Sequence, residues 1–265
     1  MLNKTFSQIF AFCLIAPLLL SSNCANANNS ANTAQQKPQL TITPIATNVF
    51  QHVSYKEVEN YGMVPANGLI VVQGKNAYII DTPWTDADTK ALVAWIASQG
   101  FTLKSSISTH FHDDRAGGIS YLNNIAIDTY ASEATNQLLT ADSKQAAKYH
   151  LLSSDNKAEK QTVAEGAIEV FYPGPGHSSD NIVVWLPEHK FLFGGCFVKS
   201  LNSKSLGYTG DADIEKWPHS MQKLINNYPT VKQVLPGHGK IGNTELLTHT
   251  QTLAVKANVD NKSAK

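Results

Sequence analysis

The order of β-type and helical segments constrains the fold of this 265-residue chain more than any other sequence feature. Short runs rich in β-branched residues come first, and segments with helical spacing of apolar residues follow them. In the first half, strands are predicted at Leu40–Ile45, Asn48–Val53, Gly68–Val72, Ala77–Ile80, Leu103–Thr109 and Ile125–Tyr130, and helices at Asp86–Gln99, Gly118–Asn123 and Ser132–Leu139.

The second half repeats this arrangement of strands followed by helices. Strands are predicted at Ala167–Tyr172, Asn181–Leu186, Phe191–Phe193 and Val231–Leu235, and helices at Asp213–Asn227 and Thr244–Val255. No Pro-rich or Ser-rich linker separates the two halves. The pattern therefore predicts one α/β domain over residues 39–265, with sheets inside and helices outside.

The N-terminus has the pattern of an export signal. Lys4 precedes an apolar run from Ile9 to Leu20, which is too short to span a bilayer, and Ala25-Asn26-Ala27 fits a cleavage site. We expect a signal peptide over residues 1–27, a flexible leader over residues 28–38, and a periplasmic location. A membrane anchor and lipidation at Cys24 are the alternatives.

Charge and cysteine content limit the possible partners. The chain has 21 basic and 21 acidic residues, so the composition does not predict attraction to nucleic acid or to a membrane surface. Removal of the signal peptide would take away Cys13 and Cys24 and leave Cys196 as a solitary thiol. In an oxidising compartment such a thiol is expected to be buried or bound to a metal.

Candidate metal ligands lie where predicted strands end. In the motif His110-Phe111-His112-Asp113-Asp114, side chains two residues apart can point into one cavity. Three further candidates, each flanked by Gly or Pro, lie at other strand ends: His177, Cys196 and His238. Imidazole, carboxylate and thiolate are zinc ligands. The other histidines lack such flanks, and we expect them to be ordinary hydrogen-bonded or solvated residues.

A Gly/Pro-punctuated segment, Glu59–Pro65, lies between two predicted strands and carries Tyr61 and Met63. It is either a flap over a binding site or a plain hairpin loop.

Together these motifs resemble the metallo-β-lactamase superfamily over about residues 40–255. The resemblance implies a four-layer αβ/βα sandwich with a metal site along one edge of the inner sheets. Many hydrolases of that superfamily have a histidine where this chain has Arg115, and a bridging aspartate where it has Cys196. Both differences resemble the first subclass of class B β-lactamases.

That resemblance implies roles for individual residues. One zinc ion would have the ligands His110, His112 and His177, and a second would have Asp114, Cys196 and His238. Lys199 corresponds to the lysine that binds the β-lactam carboxylate, and Tyr208 stands where the family usually has an asparagine. We therefore expect catalytic roles for Asp114, Lys199 and Tyr208, and substrate contacts for Lys199, Tyr208 and Tyr61.

The expected function is zinc-dependent hydrolysis of the β-lactam amide of penicillins, cephalosporins and carbapenems, conferring antibiotic resistance. Three neutral imidazoles leave a zinc ion able to activate water, and the more anionic second site suits stabilisation of the departing nitrogen. Asp81, Thr109 and Arg115 either support the ligands or serve strand-end packing and surface charge. Hydrolysis of a lactone or thioester and non-catalytic zinc binding are the alternatives, and we expect a monomer.

Overall fold

A computed structural model describes residues 38–152 and 159–263. The predicted signal peptide and residues 28–37 of the predicted leader lie outside the described residues. Within the described ranges, no helix combines the length and apolarity needed to cross a membrane.

The first sheet has seven strands that follow one another in chain order. The first four are antiparallel neighbours, whereas the fourth to seventh run parallel. The strands are β1 (Thr41–Ala46), β2 (Val49–Val58), β3 (Gly62–Gln73), β4 (Asn76–Ile80), β5 (Thr102–Ser108), β6 (Asp128–Ser132) and β7 (Tyr149–Leu151).

The second sheet has five strands in the order β12-β11-β10-β9-β8. Only the β11–β12 pair is parallel among the described pairs of this sheet. The strands are β8 (Lys160–Val163), β9 (Ile168–Phe171), β10 (Val183–Leu186), β11 (Phe191–Gly195) and β12 (Gln233–Pro236).

Helices cover the outer faces of both sheets. They are α1 (Asp86–Ser98), α2 (Asp113–Ala116), α3 (Ile119–Asn124), α4 (Glu133–Ala141), α5 (Trp217–Asn227) and α6 (Glu245–Ser263). Helix α1 begins where Thr85 accepts a hydrogen bond from the backbone N–H of Asp88, the usual N-cap contact.

Three apolar clusters show how the layers pack. The central cluster joins residues of β3 to β5, such as Leu69 and Ile107, to residues of β9 to β12, such as Phe193. A second cluster packs α1 onto the outer face of the first sheet. A third packs α5 and α6 onto the second sheet. The result is a helix–sheet–sheet–helix sandwich, as predicted.

The strand boundaries differ from prediction at the β2–β3 hairpin. Strand β3 begins at Gly62, six residues earlier than predicted, and the ladder reaches the Val58–Gly62 pair. Only the turn at Glu59–Tyr61 is therefore non-strand. The polar strand β8 and the short β7 and α2 were not predicted, because none has an apolar repeat long enough to indicate it.

Candidate metal centre

The six predicted ligands meet at one edge of the two sheets. His110 lies two residues beyond β5, Cys196 directly follows β11 and His238 lies two residues beyond β12. His177 comes from the connection between β9 and β10, and Asp114 from α2. Their ligand atoms form overlapping groups of three in which all atoms lie within 4.8 Å of one another.

Three imidazoles converge in the first group. His110 Nε2 lies 3.0 Å from His112 Nδ1, which lies 3.2 Å from His177 Nε2. Burial lowers the pKa of His110 and of His177 well below the usual histidine value. Both imidazoles are therefore neutral at pH 7, which is the form that binds a metal.

The second group combines a thiol, a carboxylate and an imidazole. Cys196 Sγ lies 3.2 Å from Asp114 Oδ2 and 3.3 Å from His238 Nε2, and these last two atoms are 3.2 Å apart. Burial alone would lower the pKa of His238, but the negative charges of Cys196 and Asp114 raise it to about 9. The same negative charges would attract a metal cation.

Both groups have the spacing of a zinc site. Four ligands at about 2.0–2.1 Å around a tetrahedral Zn²⁺ lie about 3.3 Å from one another. The separations of 3.0–3.3 Å within each group match this edge length. The side chains of each group are therefore close enough together to hold a metal ion.

Arg115 holds the second group from the protein interior. Its side chain is fully buried, and its Nη2 donates to Asp114 Oδ2 at 2.8 Å and to the Gly237 carbonyl at 2.8 Å. Its Nη1 donates to Asp81 Oδ2 at 3.2 Å and to the Asn67 carbonyl. Although burial would lower the pKa of Arg115, Asp114 and the other anions raise it, so the guanidinium stays charged. The sequence allowed two roles for Arg115, support of the ligands or packing and surface charge. Its contacts with Asp114 and Gly237 are those of a supporting residue.

Asp114 is correspondingly kept ionised. Burial would raise the pKa of its carboxyl, but Arg115 and then His238 hold it well below its usual value. An ionised carboxylate is the form that binds a metal.

Asp81 and Thr109 fix the end of β5. Asp81 has φ +59°, a left-handed conformation that aspartate tolerates better than most residues. Its carboxylate accepts hydrogen bonds from the Thr109 backbone N–H at 2.7 Å and from the Thr109 hydroxyl at 2.9 Å. These bonds set the backbone position immediately before His110.

Gly237 allows the segment after β12, which carries His238, to approach Arg115. A Cβ at this position would lie 2.7 Å from Arg115 Nη2 and 2.7 Å from the Cys196 backbone nitrogen. His238 Nδ1 donates to the Pro65 carbonyl at 2.6 Å, so the β2–β3 hairpin also orients this imidazole.

The comparisons with known proteins agree with this geometry. A family model for the metallo-beta-lactamase superfamily matches residues 61–238. This chain belongs to the metallo-β-lactamase superfamily. The fold and family predicted from the sequence are confirmed.

Individual members of the superfamily are similar to most of the chain. A metallo-beta-lactamase type 2 of Pseudomonas aeruginosa is 44% identical over 225 residues, which cover 85% of this chain and 88% of the relative. The enzyme of the same name from Bacteroides fragilis is 37% identical over 217 residues, covering 81% and 85%. A crystal structure of the DIM-1 metallo-beta-lactamase exposed to ceftazidime has a TM-score of 0.80 and 50% identity, covering 83% of this chain and 98% of that one.

A cavity of about 880 Å³ opens over both ligand groups. Lys199, Tyr208 and Tyr61 all line it, as their predicted substrate contacts require. Tyr61 is 56% exposed at the tip of the hairpin, on a wall that Val64 extends. Lys199 Nζ lies 5.2 Å from the centre of the Trp217 ring, and its backbone N–H donates to the Thr250 hydroxyl at 2.8 Å.

Asp211 belongs to this metallo-β-lactamase site, and no role was predicted for it. Its Oδ2 lies 3.0 Å from His112 Nε2, although the two residues are 99 positions apart. The surrounding sequence, Gly207-Tyr208-Thr209-Gly210-Asp211, does not indicate a contact with His112.

Proposed function

We propose that this chain is a dizinc β-lactamase that hydrolyses the cyclic amide of β-lactam antibiotics and thereby confers resistance. The pairing of an all-histidine group with an Asp-Cys-His group beside one cavity carries this proposal. Two zinc ions would be held by His110, His112 and His177 and by Asp114, Cys196 and His238.

Zinc held by these residues would polarise the amide carbonyl, make water nucleophilic at neutral pH and stabilise the departing nitrogen. The two ligand groups differ in charge, since the first is neutral and the second carries Asp114 and Cys196. Hydrolysis adds water across the amide: the C–N bond breaks, a C–O bond forms and the nitrogen gains a proton.

Lys199 supplies the positive charge for the carboxylate that penicillins, cephalosporins and carbapenems carry beside the ring nitrogen. Trp217 below it and Thr250 behind its backbone fix its position at the cavity wall. Burial lowers the pKa of Lys199, partly offset by the negative charges of Cys196 and Asp114. Tyr61 and Val64, which also line the cavity, provide apolar surface for the substituents of the drug.

These features favour β-lactam hydrolysis over the other functions considered. A zinc-storage protein has no use for a lysine fixed over the cavity. A lactone or thioester hydrolase would not require Lys199 unless its substrate also had a carboxylate. The similarity to enzymes named metallo-beta-lactamases supports the same choice. We further propose that the enzyme acts as a monomer in the periplasm, after removal of residues 1–27.

The test combines metal analysis with a substrate panel. Purified protein should contain two zinc ions and hydrolyse a chromogenic cephalosporin, and a chelator should abolish the activity until zinc is returned. His112→Ala should lose activity, whereas His150→Ala, at an exposed histidine of β7, should not. Hydrolysis of lactones or thioesters without any β-lactam turnover would overturn the proposal, as would full activity with one zinc ion or none. Cell fractionation and light scattering test location and monomeric state.

Substitution of Lys199 tests the carboxylate contact. Lys199→Met should raise KM more than it lowers kcat, because a charge remote from the reacting bond contributes mostly uniform binding. A change in KM below about twofold for carboxylate-bearing substrates would contradict this role.

A further inference from the structure

The part of the cavity wall that carries Lys199 is an irregular loop. Residues 196–216, which lie within the described ranges, form no helix or strand between β11 and α5. Lys199, Ser203 and Lys204 of this loop line the cavity. Such a loop lacks the repeated backbone hydrogen bonds of a helix or strand, so its position depends on contacts with neighbouring elements.

Helix α6 holds the first part of this loop at both of its ends. At one end, the backbone N–H of Lys199 donates to the Thr250 hydroxyl at 2.8 Å. At the other, the buried side chain of Leu206 belongs to the same apolar cluster as Leu246 and Leu247 of the helix. Most side chains between these two anchors are exposed, namely Leu201, Asn202, Lys204 and Ser205.

His249 of α6 supplies a third anchor in the middle of this exposed stretch. Its Nε2 lies 3.0 Å from the Ser203 carbonyl oxygen, and because a carbonyl can only accept, Nε2 is the donor. The Ser203 backbone N–H donates to the Ser200 carbonyl at 2.9 Å, which closes a turn over residues 200–203. Among the described residues, the His249 contact is the only hydrogen bond that joins residues 200–205 to another element.

We propose that His249 is a positioning residue for substrate binding: by holding the Ser203 carbonyl it fixes the turn over residues 200–203 and, with it, the cavity wall beside Lys199. It acts through the backbone of the loop and not on the reacting atoms. The sequence indicated only an ordinary hydrogen-bonded or solvated histidine at this position. The proposal rests on the proposed function in taking this cavity as the substrate site.

Hydrogen–deuterium exchange measured by mass spectrometry tests the anchor without any substrate. His249→Ala should increase exchange of the amides of residues 200–206 about fivefold, the expected effect of losing one hydrogen bond. Peptides from β11 and β12 should exchange as in the wild type. His249→Gln keeps a side-chain N–H donor and should restore the protection. His219→Ala makes the same change at an exposed histidine of α5 and is the matched control.

Steady-state kinetics of the same variants test the effect on the substrate. His249→Ala should raise KM for carboxylate-bearing β-lactams about three- to tenfold and change kcat by less than about twofold, because the turn shapes the binding wall and not the reacting bond. His249→Gln and His219→Ala should keep KM within about twofold of the wild-type value. Metal content should equal that of the wild type in all three variants.

Three results would overturn the proposal. Unchanged exchange of residues 200–206 in His249→Ala would mean that the contact does not hold the turn. Faster exchange with an unchanged KM would mean that the turn does not position the substrate. Faster exchange spread over α6 and not restored by His249→Gln would give the histidine a purely structural role. Failure of the proposed function would be recognised separately, as a wild-type protein that does not hydrolyse β-lactams, and the exchange measurements would still decide whether His249 fixes the turn.

Discussion

The two ligand groups of this site are supported from opposite sides. The Asp-Cys-His group is held from the interior by Arg115, whose side chain has no exposed surface. The three-histidine group is held at the rim by Asp211, whose side chain is 41% exposed. The residue that supports one group is thus part of the folded core, whereas the residue that supports the other lies where water also reaches it.

This difference predicts which substitutions affect the stability of the fold and which affect only the metal site. Charges in the interior interact strongly but cost much to desolvate, so removing one partner leaves an uncompensated charge. Exposed pairs are screened and contribute little to folding. We therefore expect substitutions around Asp114 to affect folding and metal binding together, and substitutions at the rim to affect the site while leaving the fold intact.

Arg115→Met should give the largest effect on folding. It removes the partner of two buried carboxylates, Asp114 and Asp81, and should lower the free energy of unfolding by about 3–5 kcal/mol. The measurement is urea denaturation of the metal-free protein. Arg115→Lys keeps the charge without the forked geometry and should recover only part of the loss. Unchanged stability in the Met variant would show that the interior network is not part of the folding core.

His52 lies behind this network and should make stability depend on pH. Its Nε2 donates to the Asp81 carbonyl at 3.0 Å, and burial lowers its pKa from 6.5 to about 4. The unfolded chain therefore binds a proton between pH 6.5 and 4 that the folded protein does not. The stability from this group is fully present above pH 6.5 and is lost as the pH falls towards 4, by about 3 kcal/mol at most.

His52→Gln keeps an amide donor and removes the titration. Unfolding free energies measured from pH 4 to pH 7 should show a shallower slope for this variant than for the wild type. His150→Gln is the control, because His150 is exposed. Equal slopes for His52→Gln and the wild type would mean that other groups cause the acid sensitivity.

Cys196→Ser addresses the interior metal group itself. A hydroxyl is a much poorer zinc ligand than a thiolate, so affinity at this position should fall about 100-fold or more, with a strong loss of turnover. The fold should survive, because Ser and Cys have similar shapes and this thiol is not part of a disulfide. Zinc titration and circular dichroism check both parts, and retention of two tightly bound zinc ions would contradict the ligand assignment.

The sequence indicated the candidate ligands but only some of the residues that support them. His110, Cys196 and His238 could be recognised because each follows a predicted strand and has a distinctive local motif. The contact between Asp211 and His112 joins two loops, so no local pattern indicates it. Arg115 presented a different difficulty, since an arginine in a sequence is usually a surface residue and only the fold shows that this one is buried.

The missed strand boundaries have a similar cause. The first part of β3 contains Pro65, which argues against a strand in the sequence. It is nevertheless paired with Tyr55 on β2, because the long β2 provides a continuous partner. Strand β8 is polar and lies at the edge of its sheet, so pairing with β9 rather than an apolar pattern defines it.

Lys56→Met should have the smallest effect on the free energy of unfolding, and it tests how much an exposed ion pair near the site contributes. Lys56 Nζ on the hairpin lies 3.0 Å from Asp113 Oδ2, and both side chains are about two-fifths exposed. Asp113 also keeps Lys144, 3.1 Å from its other oxygen. Loss of Lys56 should therefore change the free energy of unfolding by less than about 1 kcal/mol, and added salt should reduce the difference further.

Lys256→Met, which breaks the exposed pair with Asp260 on α6, is the matched control and should behave alike. A loss above about 2 kcal/mol for Lys56→Met alone would mean that this exposed ion pair contributes to folding about as much as the buried contacts of Arg115 do. The distinction between interior and exposed contacts would then be wrong.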